Sequence, residues 1–240
     1  MKNTIVIIPS RLGAERLKGK PLMHIKGIPM IVYVLKSAIK SRVGKVYVST
    51  PDKEILEVVQ KHGGNGILTG DHPNGTSRVW ETFKKINNEN IDLVINMQGD
   101  QVMLSPRSIS KLEKLMKKHN SPIGTLASKL NKNEINDRNV VKVEVETSLK
   151  EDSFLIAKDF FRIKKVPLDT KIYHHVGIYC FQPSYLKRYV ELGESRQEKI
   201  QKLEQLRILG KIDINVGYCD SNPLSVDTVE DLKKAEKEMS

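Results

Sequence analysis

Aromatic side chains are scarce. Phe, Trp and Tyr together make up 5% of the 240 residues, with a single tryptophan. Proteins that hold single-stranded nucleic acid stack bases on such rings, so this is a poor platform for that role. Cysteine is scarcer still. Cys180 and Cys219 are the only two, and they make neither a disulfide framework nor a metal-ligand spacing. Two buried free thiols in a reducing compartment are expected. No apolar run approaches the ~18 residues that a membrane span requires. The opening MKNTIVIIPS turns polar too soon for a secretory leader and reads as a buried strand, so a cytoplasmic location is expected. No internal repeat or low-complexity tract is visible.

What is abundant is positive charge. Forty Lys and Arg stand against 29 Asp and Glu, a formal net charge of +11. The hydrophobic share of 39% is ordinary for a globular chain, and the length suffices for a sizeable core. A basic surface of this kind suits anionic partners such as phosphates.

The first half alternates strand and helix signals. Residues 4–8 form a short apolar run stopped by Pro9. A loop rich in Gly, Arg and Lys runs to about Gly27, and Pro29 then opens an apolar-periodic helix over 30–39. Residues 45–49 read as a second strand. Asp52 is a candidate cap for a helix to about His62. A third strand over 66–68, a helix over 76–86 and a buried strand over 93–97 follow. This order predicts an α/β fold with a mostly parallel sheet, helices on both faces and right-handed crossovers. After about residue 120 the pattern changes. Strands are expected at 122–128, 140–145, 154–157 and 171–181, helices at 183–191 and 196–209, and a late strand at 212–216. A final helix over 227–239 has Asp227 or Thr228 as its cap. The chain therefore reads as one domain, 1–240, with a β-rich insertion around 122–182 that is a candidate oligomerisation element.

The loop after the first strand carries the most chemistry. It reads Pro9-Ser10-Arg11-Leu12-Gly13-Ala14-Glu15-Arg16-Leu17-Lys18-Gly19-Lys20-Pro21. It leaves the carboxyl end of a strand, where open α/β sheets place their ligands. Gly13 and Gly19 permit close backbone approach, and Arg11, Arg16, Lys18 and Lys20 supply four cations. Such a loop suits a triphosphate. Pro21 stands where a Walker A loop needs Ser or Thr, and G-x-G-x-x-G is absent. Composition alone fits a solvated basic loop equally well.

Residues 8–22, I-P-S-R-L-G-A-E-R-L-K-G-K-P-L, resemble the first loop of the CMP-Kdo synthetases (3-deoxy-manno-octulosonate cytidylyltransferases), I-P-A-R-x-x-S-x-R-L-P-G-K-P-L. The inner Ser is Ala14 here and the Pro before the Gly is Lys18. Asp71-His72-Pro73-Asn74-Gly75-Thr76-Ser77-Arg78 is similar to that family's D-H-x-S-G-T-E-R. Asn96-Met97-Gln98-Gly99-Asp100 is similar to its N-x-Q-G-D, and His175-Val176-Gly177-Ile178-Tyr179 to its H-I-G-I-Y. Lys202-Leu203-Glu204-Gln205-Leu206-Arg207 matches K-L-E-Q-L-R unchanged. Val226-Asp227-Thr228-Val229-Glu230-Asp231-Leu232 is similar to V-D-T-P-E-D-L. The matches span nearly the whole chain in one order.

The resemblance implies a three-layer, Rossmann-like nucleotide-diphospho-sugar transferase fold and a homodimer with the β-rich region as interface. It implies that CTP and a 3-deoxy-ulosonic acid react to give the CMP-sugar and pyrophosphate, for lipopolysaccharide or capsule synthesis. Pro9, Ser10, Arg11, Arg16, Lys20, Gly75, Thr76, Arg78 and Asp100 fall where the family binds nucleotide, and Gln98, His175, Tyr179, Glu204 and Gln205 where it binds sugar. Asp100 and Asp227 fall on its Mg²⁺ ligands. Lys20, Arg16 and Asp100 take the catalytic roles. By residue type alone, Asp100 reads as a turn residue and Asp227 as a helix cap, while His175 also fits a structural histidine and Glu204 and Gln205 helix-surface residues. His174 is expected on the face opposite His175.

Two departures fall near the sugar positions. Q-G-D-E-P becomes Gln98-Gly99-Asp100-Gln101-Val102, and A-L-Y-F-S-R corresponds loosely to a stretch containing Ala157-Lys158-Asp159 and Arg162. They leave a modified or amino-substituted octulosonate as the alternative substrate. A nucleotidyltransferase acting on sugar 1-phosphates is disfavoured, because its G-G-x-G-T-R loop is absent. Nucleic-acid binding is disfavoured too, because Glu113 and Glu236 interrupt the Lys-rich stretches.

Overall fold

The computed structural model describes every residue except 1, 2, 14–16, 166, 168, 221, 222 and 240. The chain forms two compact units, Met1–Ser110 with Pro223–Ser240, and Lys111–Asn222.

The first unit contains β1 (Asn3–Pro9), the short hairpin β2 (His24–Ile25) and β3 (Ile28–Pro29), then α1 (Met30–Lys40). It continues through β4 (Gly44–Thr50), α2 (Lys53–Lys61), β5 (Asn65–Leu68), α3 (Gly75–Ile86) and β6 (Ile91–Met97). A helix at its C-terminal end is labelled α7 below. The long strands run parallel in the order β5-β4-β1-β6. The chain thus steps outward from β1 to β4 to β5 and then returns past β1 to β6. Right-handed crossovers then put α1 and α2 on one face and α3 on the other. In keeping with cover on both faces, Ile5, Val6, Ile7 and Ile8 are all buried. Burying each of these side chains contributes about 1.5–3 kcal/mol. The order of the strands reverses between β1 and β6, and a doubly wound sheet opens its ligand crevice at such a reversal.

The helix α4 (Pro106–His119) leads into the second unit, which holds β7 (Ile123–Ser128), β8 (Lys142–Val145), β9 (Phe154–Phe161) and β10 (Lys171–Phe181). There follow α5 (Pro183–Glu191), α6 (Arg196–Gln201) and β11 (Ile214–Tyr218), and then α7 (Val229–Glu238) back in the first unit. The strands of the second unit pair in the order β10-β7-β11-β9-β8, and β8 also pairs with β10, so the pairing closes in a ring. Only β7 with β11 is parallel there; the other pairs are antiparallel. The mostly parallel sheet expected from the sequence is therefore mixed. Short connections without a crossover helix force β8, β9 and β10 to run antiparallel.

Other elements also differ from expectation. The helix expected over 196–209 ends at Gln201, because Lys202 adopts φ 52°. The chain then makes a tight 3-10 turn, Glu204–Arg207. This break lets Arg207 fold back on Glu198, with Nε and Nη2 donating to its two oxygens at 2.9 and 2.6 Å. An unbroken helix would separate residues nine apart by about 13 Å. Asp52 does occupy the cap position of α2 but makes no capping bond; its Oδ2 accepts from the Leu12 N–H at 2.8 Å and pins the first loop. The helix α7 is capped by Thr228, which with Asp231 forms a capping box.

Candidate active site

Three segments of the first unit meet at the reversal point. The first is the end of β1, where the Ser10 N–H donates to the Ser49 carbonyl. The second is the N-terminus of α3, and the third is the turn after β6. A methyl group on Gly75 would lie 3.3 Å from both Pro9 Cγ and Gln98 Oε1, and one on Gly99 would lie 3.0 Å from the Pro9 carbonyl oxygen. A side chain at either position would crowd Pro9, and one at Gly75 would crowd Gln98 too, so the glycines let the segments pack closely here. Ser10 Oγ is buried here without a hydrogen-bond partner among the described residues. Gln98 is held by a relay, its Nε2 donating to Asn96 Oδ1 at 3.1 Å and Asn96 Nδ2 donating to Thr76 Oγ1 at 3.2 Å.

Lys20 closes the site. The loop folds back through Gly19 N–H on the Leu12 carbonyl, and Gly19 takes φ 69°, the left-handed conformation that glycine adopts readily. A 3-10 turn, Lys20–Leu22, follows with Pro21 buried. The Lys20 ammonium donates to Asp100 Oδ2 at 2.9 Å and to Asp227 Oδ1 at 3.0 Å. Asp100 sits in the turn after β6, and its carbonyl accepts from the Val226 N–H, drawing the C-terminal segment alongside. Because Thr228 does the capping, the Asp227 carboxylate can face Lys20. Burial pulls the Lys20 ammonium down. The charges and hydrogen bonds of Asp100 and Asp227 together outweigh that, so its pKa ends above the ordinary value.

One face of α3 grips the loop that precedes it. Arg78 is buried, and its Nη1 donates to Thr69 Oγ1 at 2.5 Å and to the Gly70 carbonyl at 3.0 Å. Burial pulls the Arg78 guanidinium down and the neighbouring Arg11 adds to this, against Asp52, Asp71 and Glu81. Glu81 accepts from the Gly70 N–H, pairs with His72 Nε2 and with Lys85 Nζ. Burial pushes the Glu81 carboxyl up, but hydrogen bonds from Lys85, His72 and Gly70 prevail and bring it down to about 2. Asn74 caps the helix by accepting from the Ser77 N–H.

The second unit holds a separate polar cluster. His175 is buried, and its Nε2 bonds Thr125 Oγ1 at 3.0 Å. Thr125 donates to the Ile178 carbonyl at 2.7 Å, so the imidazole is the donor and Nε2 carries the proton. Burial, with His174 adding, pushes His175 down to about 3, so the ring is neutral. It packs against Phe160 and Tyr179. The Tyr179 hydroxyl is buried without a partner among the described residues. Burial raises its pKa, and Tyr189 and Glu204 raise it further. Tyr189 OH donates to the Glu204 carbonyl, and the Arg207 guanidinium lies over the Tyr189 ring. Gln205 is buried and Glu204 half-buried. His174 turns the other way, to Glu134.

The first unit thus brings together Pro9, Ser10, Lys20, Gly75, Thr76, Gln98, Asp100 and Asp227. Arg11 is exposed, with Arg78 close enough to feel its charge. Arg16 lies outside the described residues. His175, Tyr179, Glu204 and Gln205 belong to the second unit. Asn96, Glu81, Thr125, Tyr189 and Arg207 were not singled out from sequence. Asn96 and Arg207 lie inside quoted motifs, and the 78, 81, 85 spacing would have put Glu81 on the Arg78 face of α3. Of the departures, Gln101 is buried with Oε1 unpartnered among the described residues. Lys158 pairs with Glu146 at the surface, and Arg162 donates to the Arg138 and Asn139 carbonyls.

Parallel strands, a cation-bearing loop and two carboxylates at the reversal point define a nucleotide-handling α/β protein. The cytidylyltransferase family profile matches residues 5–213. The 3-deoxy-manno-octulosonate cytidylyltransferase of Rhodopseudomonas palustris (strain BisB5) is 40% identical over 238 residues, 98% of this chain and 96% of that protein. A solved CMP:2-keto-3-deoxy-manno-octonic acid synthetase complexed with CTP superposes with TM-score 0.90 at 34% identity, over 99% of this chain and 98% of that one. A glucose-1-phosphate thymidylyltransferase assigned in Bacillus anthracis reaches TM-score 0.70 at 14% identity over 98% of this chain and 94% of that one, a likeness of fold alone. The chain belongs to the cytidylyltransferase family of nucleotidyltransferases.

Proposed function

We propose that this enzyme transfers CMP from CTP to 3-deoxy-manno-octulosonate, releasing pyrophosphate, in the supply of lipopolysaccharide or capsule. The observation that carries the reading is the Lys20 ammonium between Asp100 and Asp227 at the reversal point, in a chain 40% identical to enzymes of that name. The anomeric hydroxyl attacks the α-phosphorus in line. The new bond joins that oxygen to phosphorus, the bond to the β-phosphate oxygen breaks with its electron pair leaving on pyrophosphate, and the hydroxyl proton passes to solvent. Lys20, with Arg11 and Arg16 from the same loop, neutralises charge growing on the departing pyrophosphate. The N-terminus of α3 at Gly75 and Thr76 offers backbone N–H groups to an anion. We assign Gln98, His175, Tyr179, Glu204 and Gln205 to the sugar on the likeness of their motifs. We read the first unit as the Rossmann-like core of a three-layer nucleotide-diphospho-sugar transferase fold.

A magnesium ion suits the donor set. Two carboxylates already converge on one positive charge, and Mg²⁺ takes hard oxygen ligands, one or two from carboxylates and the rest from phosphates and water. No group of three or more potential ligands gathers among the described residues, so the substrate phosphates would complete the shell. Asp100 and Asp227 would hold the ion, which when bound supplies Lewis-acid polarisation of the α-phosphate. We further propose a homodimer through the β-rich region around 122–182, where Ile135, Ile156 and Ile163 are exposed; sizing chromatography checks it. No helix among the described residues is long and apolar enough to cross a membrane, in line with work in the cytoplasm.

The test is pyrophosphate release with CTP, Mg²⁺ and a panel of ulosonic acids that includes amino-substituted octulosonates. Turnover is expected with 3-deoxy-manno-octulosonate and CTP. No turnover with any acid, or a preference for UTP or GTP, would overturn the reading.

A further inference from the structure

We propose that Lys20 is a placeholder cation: in the nucleotide-free enzyme its ammonium holds Asp100 and Asp227 and keeps a free divalent metal out, so the metal enters only with the nucleotide, whose phosphates draw the ammonium away. This rests on the cytidylyltransferase reading and concerns how that site is loaded.

The geometry supports both halves of the exchange. The ammonium reaches Asp100 Oδ2 at 2.9 Å and Asp227 Oδ1 at 3.0 Å, so it sits where a shared cation would sit. The two carboxylates are open to solvent, 27% and 34% exposed, whereas the Lys20 side chain is 12% exposed. Burial therefore does not hide the acids from a metal; the ammonium does. Lys20 sets one positive charge against both carboxylates. A divalent ion admitted beside the resident ammonium would meet a like charge a few ångströms away, a penalty that is large in a partly desolvated site.

The backbone is built for the side chain to move alone. Leu22 N–H on the Gly19 carbonyl, Met23 N–H on the Lys20 carbonyl and buried Pro21 fix the turn that carries Lys20. The carboxylates are preset as well. Val226 N–H bonds the Asp100 carbonyl, and Asp227 N–H and Thr228 N–H both donate to Asp231 Oδ2. What remains free is the four-carbon lysine stem, which can re-aim the ammonium without refolding the loop. Nucleotide phosphates presented to this loop bring several negative oxygens and outbid two carboxylates for the ammonium. The carboxylates are then released together, in the presence of the anion that completes a metal shell.

The experiment is Mn²⁺ binding to the full-length protein without nucleotide, read by electron paramagnetic resonance, in wild type, Lys20→Gln and Lys20→Arg. Lys20→Gln is expected to bind Mn²⁺ about tenfold tighter or more than wild type. Lys20→Arg, which keeps the charge, is expected to bind as weakly as wild type. Equal or weaker binding by Lys20→Gln overturns the proposal. Should Lys20→Gln fail to fold, wild type suffices. Acylation of Lys20 by an amine reagent, read by mass spectrometry, should stay unchanged when millimolar Mg²⁺ is added without nucleotide, and a rise with Mg²⁺ alone overturns the proposal. Wild-type pyrophosphate release with CTP is measured on the same preparation. Its absence would count against the cytidylyltransferase reading, whereas normal turnover with metal binding indifferent to Lys20 would count against the placeholder alone.

Discussion

Asp100→Asn separates chemistry from folding at the proposed metal position. Asparagine keeps the shape, and its amide oxygen can still accept from Lys20 Nζ, now at 2.9 Å from Asp100 Oδ2. What is lost is one negative charge. In the native protein one ammonium faces two carboxylates, so the substitution leaves a balanced pair with Asp227. Partly exposed ion pairs contribute about 0–1 kcal/mol, and losing this one also relieves repulsion between the two acids. Stability should therefore change by less than about 1 kcal/mol, a shift of no more than about 2–4 °C in Tm for a chain of this size. Turnover should respond very differently. Removing one preorganised electrostatic group from a reacting centre costs about 10²–10³ in kcat. The assay is pyrophosphate release at saturating CTP, Mg²⁺ and 3-deoxy-manno-octulosonate, alongside a thermal melt. A variant within about tenfold of wild type in kcat/KM, a difference of about 1.4 kcal/mol, with a normal melt, would refute the reasoning.

Other outcomes follow from the same contacts. Glu81→Ala releases the Gly70 N–H, His72 and Lys85 at once; KM for CTP should rise about tenfold, a loss of about 1.4 kcal/mol in binding, with little change in kcat, as steady-state kinetics would show. Glu81 is lowered from an ordinary 4.5 to about 2, so its stabilising contribution is present above pH 4.5 and lost as pH falls toward 2. The acid-unfolding curves of wild type and Glu81→Gln should converge near that lower limit. Lys142 is fully buried, and its ammonium donates to the carbonyls of Asp137, Val140 and Arg162; burial lowers its pKa, with Asp137 and Glu134 opposing. Lys142→Met strands those carbonyls and should cost about 2–4 kcal/mol in denaturant unfolding. His175, at about 3 when folded, binds fewer protons than its unfolded form between pH 6.5 and 3. Stability should fall as pH drops through that window, and His175→Gln should flatten the acid limb of the melt-versus-pH curve.

Much of the first unit was legible because its strands are short apolar runs buried on both faces and its helices keep the 3.6 period. β1, α1, β4, α2, α3 and β6 fell within a residue or two of expectation. The hairpin β2–β3 went unseen, since two-residue strands carry no period to read. The end of α6 was missed for a different reason. Lys202 takes φ 52° without being Gly or Asn, and the gain that supports it is the Arg207–Glu198 pair, a contact no local pattern announces. The extension of β9 to Phe161 was obscured by Lys158 and Asp159, which fit an exposed strand face as well as a loop. In the first loop, charge spacing alone fitted a solvated loop as well as a phosphate site, and the motif likeness singled it out; outside the site, Lys142 in its ring of carbonyls went unread, because the carbonyls are invisible in side-chain letters. Asp52 shows the limit most plainly. Its cap position was correctly placed, yet its carboxylate serves the Leu12 N–H across 40 residues.

The Lys20–Asp227 bond joins residues 207 apart in the chain. During synthesis at about 5–20 residues per second, Lys20 is therefore made about ten to forty seconds before Asp227. Until then Lys20 and Asp100 face each other without Asp227, and the Val226 N–H that anchors Asp100 has not been made. On the proposed roles of Lys20, Asp100 and Asp227, fragments that stop short of residue 227 should bind nucleotide weakly and turn over nothing.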